Sequence, residues 1–194
     1  TITILISVYF YASNVIRSDS VRSMERTCTI YASDLKNDID SVDNILQFIL
    51  SNDANIQQLS HNSETDRYFA SINLKQLIQA IVSNNRVVDM VLVSNNANQM
   101  NLSLGNGRLT YGQRTTIQQY ISSLGEQEIS QRSQWHMETL EKDSYLVKEF
   151  YYEGSSISAW IHLDTLLSDF QNTNDETYYQ YGIEDPNKNL WSNG

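Results

Sequence analysis

One cysteine, Cys28, and one proline, Pro186, are all that this 194-residue chain has of either residue. A single thiol excludes an intrachain disulfide and any multi-cysteine metal site, though it fixes no compartment. Basic residues are also few, 13 against 23 acidic, for a formal charge of −10 with no Lys/Arg cluster. Without such a cluster a surface lacks the electrostatic footprint that holds phosphates, so nucleic acid is not an expected partner. Glycine is sparse as well. The "GNG" at 105–107 is too short to cradle a phosphate as a P-loop or dinucleotide motif does, and no Gly-x-Ser-x-Gly elbow occurs among the serines. Long apolar runs are missing too: the opening "TITILISVYFYASNVI" holds 16 uncharged residues before Arg17, several of them polar. A spanning helix needs about 20. Residues 1–16 read as the end of a transmembrane helix and thus as a membrane attachment, with a buried helix or strand as the alternative.

What is plentiful is Asn, Ser, Gln and Tyr, a polar composition suited to a domain that faces water outside a cell. The length allows one domain with an appendage, since domains usually run to about 100–200 residues. From Val21 the residues Met24, Cys28, Tyr31, Leu35, Ile39, Val42, Leu46 and Ile49 follow at steps of three and four. That predicts a stalk helix over residues 17–51 with one apolar face, about 45 Å long over about 30 residues. The stripe is near-heptad. It serves as a homodimer seam through residues 17–50, as a contact with the chain's own sheet, or as each on a different segment.

A polar break at 51–66 precedes a second helix with Tyr68, Ile72, Leu77, Ile81 and Val82 at helical spacing. Val87 to Ser94 then reads as an inner strand, apolar on both faces except for Asp89, which must reach an open end or a partner. A turn leads to a strand with Leu102 and Leu104, and "TTIQQYISSLGEQ" at 115–127 reads as a short surface helix capped by threonine. Three strands follow, "SQWHMETL", "SYLVKEFYYE" and "SSISAWIHL", joined by tight turns at "EKDS" and "EGSS". Asp164 begins a last helix. The fold class is α+β: a five-stranded antiparallel sheet preceded by a long N-terminal helix packed along it.

This order of elements resembles that of the extracellular Cache sensor domains, PAS-like modules of bacterial membrane receptors. The likeness is carried by "VVDMVLVSNNANQ" as first strand and turn and by "SISAWIHLDTLLSDF" as last strand and exit helix, and it spans residues 17–171. Residues 52–171 would be the sensor domain. Residues 172–194, with "YYQYGIEDPNKNLWSNG", look like the start of a second, membrane-proximal module, as in double Cache receptors. The closest flavour is that of Gram-positive sensor histidine kinases. The resemblance implies a cell-membrane receptor whose extracellular sheet pocket binds a small ligand and biases the helices. The alternative is a ligand-free dimerisation or protein-interaction module of a chemoreceptor or a membrane-bound transcription regulator.

The residues offer little for catalysis. His61, His136 and His162 fall in three different elements without a second ligand at metal spacing. Asp38 with Asp40, and Glu138 with Glu141, read as solvated faces. No enzyme activity, metal or cofactor is expected. Strand parity suggests a pocket instead: Ile157, Ala159, Ile161 and Leu163 form one face of the last strand, and Ser156, Ser158, Trp160 and His162 the other. Trp135, Tyr145 and Trp160 are the candidate ligand-binding aromatics, with Arg132 and His162 as polar contributors and Tyr151 at equal parity; the alternative is that these aromatics fill a core. Double Cache domains that bind amino acids share an arginine two before a Trp–Tyr pair and an aspartate on the last strand. Here Ser133 stands at the arginine position, His136 replaces the tyrosine, and Trp160 stands where the aspartate would be. A neutral, sugar-like ligand is therefore expected.

Overall fold

With neither proline nor glycine to interrupt it, the first helix, α1, runs from Ile2 to Asn52 in the computed structural model. The residues described are 2–60, 63–95, 100–124, 134–152, 154–172, 182–184 and 190–192. By internal contacts the chain divides into two units, Thr1–Asn37 and Asp38–Gly194. In the first unit Val21 of the stripe is 51% exposed, and Met24, Cys28, Tyr31 and Leu35 are only partly buried. In the second, the same stripe is buried at Val42, Leu46 and Ile49, joined by Leu50. Among the described residues no helix is long and apolar enough to cross a membrane.

The polar break contains a single helical turn, α2 (Ala54–Gln58), capped by the Asp53 carboxylate, which accepts from the Asn55 amide at 2.7 Å. Helix α3 (Glu64–Asn84) starts at Ser63, whose side chain accepts from the Asp66 amide, and carries Glu64 and Asp66 in its first turn, where the helix dipole favours acids. Its buried stripe is Ala70, Leu74, Ile78, Ile81 and Val82. Tyr68 and Ile72 of the expected stripe are instead exposed. The inward face runs through Ala70, and α3 packs on α2, β2 and β1.

Strand β1 (Met90–Asn95) is buried at every position. It begins three residues later than expected, because the Asn85 carboxamide oxygen accepts from the amides of Val87 and Val88 at 3.0 and 3.1 Å and keeps them out of the ladder. The other sheet strands are β2 (Met100–Gly105), β3 (His136–Leu140), β4 (Asp143–Tyr152) and β5 (Ser155–His162). They pair antiparallel in the order β2-β1-β5-β4-β3. The expected five-stranded antiparallel sheet and α+β class are therefore present. The β3–β4 turn is a two-residue loop with Glu141 at φ 57°, and Gly154, at φ 81°, turns β4 into β5. Helix α4 (Tyr111–Ser123) lies between β2 and β3, α5 (Leu163–Asn172) follows β5 directly, and β6 (Gly182–Glu184) pairs with β7 (Leu190–Ser192).

Register sorts the two faces. Met90 is opposite Trp160, which is opposite Val147; Val91 is opposite Ala159, which is opposite Lys148. Met90, Trp160 and Val147 form one core with Leu92, Tyr145 and the α4 residues Ile117 and Ile121. Helix α4 covers this face with the expected apolar side, Ile117 and Ile121, and leaves its other side at the surface. On the other face Val91, Val93, Ile157, Ala159 and Ile161 are at most 1% exposed. There Lys148 reaches Asp43 of α1 at 3.0 Å, and Arg86 reaches Asp38 at 2.7 Å.

Candidate functional site at the end of the sheet

The site is organised around Asp89, the one charge in an otherwise apolar run, which is fully buried just before β1. A buried carboxylate without partners would cost several kcal/mol. Asp89 has partners from two segments: Oδ1 lies 2.9 Å from Arg108 Nε, Oδ2 accepts the His162 amide at 2.7 Å, and Asn106 Nδ2 approaches Oδ1 at 3.4 Å. Its own amide donates to the Trp160 carbonyl, and its carbonyl accepts from the Asn106 amide at 3.1 Å. Gly105 is needed at this crossing, since a Cβ there would sit 3.0 Å from the Asp89 carbonyl oxygen. Arg108 and Asn106 also donate to the Val88 carbonyl, at 3.2 and 2.8 Å. The start of β1, the end of β2 and the end of β5 are in this way tied to one carboxylate.

His162 extends the network. Its Nδ1 accepts the backbone N–H of Asp164 at 3.1 Å, so the imidazole stands at the first turn of α5, in the place expected for Asp164 itself. This leaves the proton of the neutral ring on Nε2, which lies 3.5 Å from Asp143 Oδ1 without a hydrogen bond among the described residues. Asp143 Oδ2 accepts from Gln113 Nε2 at 3.0 Å. Gln113 in turn closes a capping box with Thr110, which starts α4 four residues before the segment expected to be helical. Tyr145 packs edge-on to His162, centroids 5.2 Å apart. Burial raises the pKa of its phenol well above the usual tyrosine range, and the charges of Asp143, Asp89 and Glu141 push the same way.

Two adjoining clefts open here. One, of about 520 Å³, is lined by Arg108, Thr110, Gln113, His162, Asp164 and Ser168 among others. Its neighbour, about 350 Å³, shares Thr110 and Gln113 and adds Glu141, Asp143 and Tyr145. No metal site forms among the described residues, and Asp143 and Asp164 lie against different nitrogens of His162 rather than converging.

The residues expected to make a pocket are distributed unevenly. Tyr145, Trp160 and His162 do come together, with Tyr145 edge-on to Trp160 at 5.7 Å. Trp160 is fully buried, meets Tyr120 of α4 edge-on at 6.0 Å and donates from Nε1 to Ser158 Oγ at 2.9 Å. It is built into the core of this face. Trp135 is half-buried one residue ahead of β3, where register sets His136 opposite Val147. Arg132, like His61, lies outside the described residues. No family model matches the chain, and no curated protein matches it. Arg108, Gln113 and Asp143 were missed by the sequence reading. The available signal was Asp89 itself, because a buried acid calls for a nearby donor, and Arg108 stands three residues after Gly105, which the register sets opposite Met90.

Proposed function

We propose that the chain is an extracytoplasmic ligand-sensing domain of a bacterial membrane signal-transduction receptor, of the sensor histidine kinase kind. A small neutral ligand held by the sheet module biases the helices that lead in and out of it. The observation that carries this reading is the neighbouring of β1 and β5. The amide of Asp89, ahead of β1, donates to Trp160 near the end of β5, and α5 begins immediately afterwards. The chain thus leaves the sheet where it came in, so a shift at this end acts on both flanking segments together. A ligand biases such a device only through different contacts in its two states. Residues 1–16 supply the membrane attachment in this reading, and residues 172–194 begin the second module.

A second reading, a ligand-free dimerisation or interaction module of a chemoreceptor or a membrane-bound transcription regulator, is favoured by the exposure of Val21 on a near-heptad stripe. Thermal melts with a panel of small neutral metabolites, together with sedimentation of the chain from Arg17 onward, separate the two. A ligand at about 100 times its dissociation constant stabilises by about 2.7 kcal/mol. Melts unmoved by the whole panel, with a concentration-dependent dimer, would favour the second reading.

A further inference from the structure

We propose that the cleft between the first turn of α4 and the first turn of α5 is the ligand site, and that it takes a small neutral polyhydroxylated molecule. The proposal rests on the receptor reading only for what binding does to α5. At about 520 Å³ the cleft has the capacity of a small-molecule site. Leu109 is the one apolar residue in its lining, so an apolar ligand would gain little there. Its charges are already opposed: Arg108 is held by Asp89 at 2.9 Å, while the carboxylate of Asp164 is largely exposed. An anion entering beside Arg108 meets Asp164 and, behind Gln113, Asp143; a cation meets the guanidinium.

Neutral hydroxyls fit what remains. Arg108, Gln113 and Asp164 are planar groups with neighbouring donor or acceptor atoms, suited to adjacent hydroxyls that both donate and accept. His162 Nε2 is shielded from solvent and faces Asp143 Oδ1 at 3.5 Å, so the polar atoms the cleft offers a ligand come from Arg108, Gln113 and Asp164. Ser168 and Thr165 add hydroxyls from α5, where the Ser168 hydroxyl already donates to the Thr165 carbonyl. The aromatic face is closed by comparison, with Trp160 fully buried between Tyr120 and Tyr145. A molecule in the cleft would meet the groups that start α5, because Asp164, whose amide donates to His162, lines it.

Calorimetric titration of the 194-residue chain with glucose, galactose, ribose, maltose and sucrose tests this, with putrescine and acetate as charged probes. At least one sugar is expected to bind, with its dissociation constant raised tenfold or more by Asp164→Ala and severalfold by Ser168→Ala. Both variants should keep the melting temperature of the unliganded chain, and Trp135→Ala should leave sugar affinity unchanged. Binding of none of the sugars, or of putrescine or acetate alone, overturns the proposal. Sugar affinity indifferent to both α5 variants also overturns the cleft, while leaving the receptor reading intact. Binding that depends on Asp164 yet leaves hydrogen exchange of the α5 amides unchanged supports the site and counts against the receptor reading.

Discussion

At the scale of single residues, Asp89 carries the greatest liability, because its carboxylate is fully buried and its compensation comes from Arg108 and the His162 amide. Removing Arg108 strands a fully buried carboxylate, at a cost of about 3–5 kcal/mol, whereas Arg108 is 41% exposed and can hydrate when Asp89 is removed. Arg108→Ala should therefore lower the urea unfolding free energy by an amount of that order, and Asp89→Ala, which leaves the His162 amide without its acceptor, by about 1–3 kcal/mol. The double variant should lose clearly less than the two together, since the residues share one interaction. Strict additivity would show the pair to be uncoupled. The need for a partner was legible in the sequence as an acid inside an apolar run; the partner was not, because Asn106 and Arg108 reach Asp89 only through the β1–β2 register. Tyr145 gives a pH test. Its folded pKa is raised, first by burial and then by Asp143, Asp89 and Glu141, whereas in the unfolded chain it titrates near its ordinary value of about 10. Above that pH the unfolded state gives up the proton first, so stability present below about pH 10 is lost as pH rises toward the folded pKa. Tyr145→Phe should therefore flatten the fall in urea midpoint between about pH 9 and 11. An unchanged fall would assign the alkaline loss to other groups.

At the scale of elements, what the sequence disclosed was periodicity, and what it concealed were the side-chain bonds that set boundaries. The long α1 stripe was readable because a repeat of three and four survives any context; that its buried part begins at Val42 was not, since burial depends on where the sheet lies. Helix α4 was placed late because its capping box joins Thr110 to Gln113, ahead of the first apolar residue of the stripe, Ile117. Its role as a lid over Trp160 needed the fold. The tie between α1 and β4 makes a further prediction. Lys148 is 8% exposed and sits 4.8 Å from the Phe150 ring centroid, whereas its partner Asp43 is 31% exposed. Removing the acid leaves a buried ammonium with an aromatic face as partial compensation, while removing the lysine leaves an acid that can hydrate. Asp43→Ala should cost about 3 kcal/mol, the lower end for a broken buried pair, and Lys148→Met, apolar and of similar length, within about 1 kcal/mol of nothing. Equal losses in denaturant melts would mean that the unequal burial of the partners does not set the cost.

At the scale of the whole molecule, the α+β class followed from the order of periods along the chain, helical first and alternating or apolar afterwards. The strand order β2-β1-β5-β4-β3 is a matter of pairing between residues as far apart in the chain as Met90 and Trp160, and no local pattern encodes it. The division at Asp38 has a consequence for folding. Every buried hydrophobic residue described, from Val42 to Leu167, lies in Asp38–Gly194, as do the ion pairs of Asp38, Asp43 and Asp89. A chain starting at Asp38 keeps 9 of the 13 basic and 20 of the 23 acidic residues, for a net charge of −11. It should therefore unfold at the same urea midpoint as the full chain at moderate salt, and with nearly the same m-value, because m follows the surface exposed on unfolding and the first 37 residues add little that is buried. Both chains should gain stability as salt rises from about 0.01 to 0.15 M, which shortens the screening length from about 30 to about 8 Å and weakens the repulsion among the excess acids. A truncated chain that melts well below the full one at both salt concentrations would show that residues 1–37 are part of the folding unit.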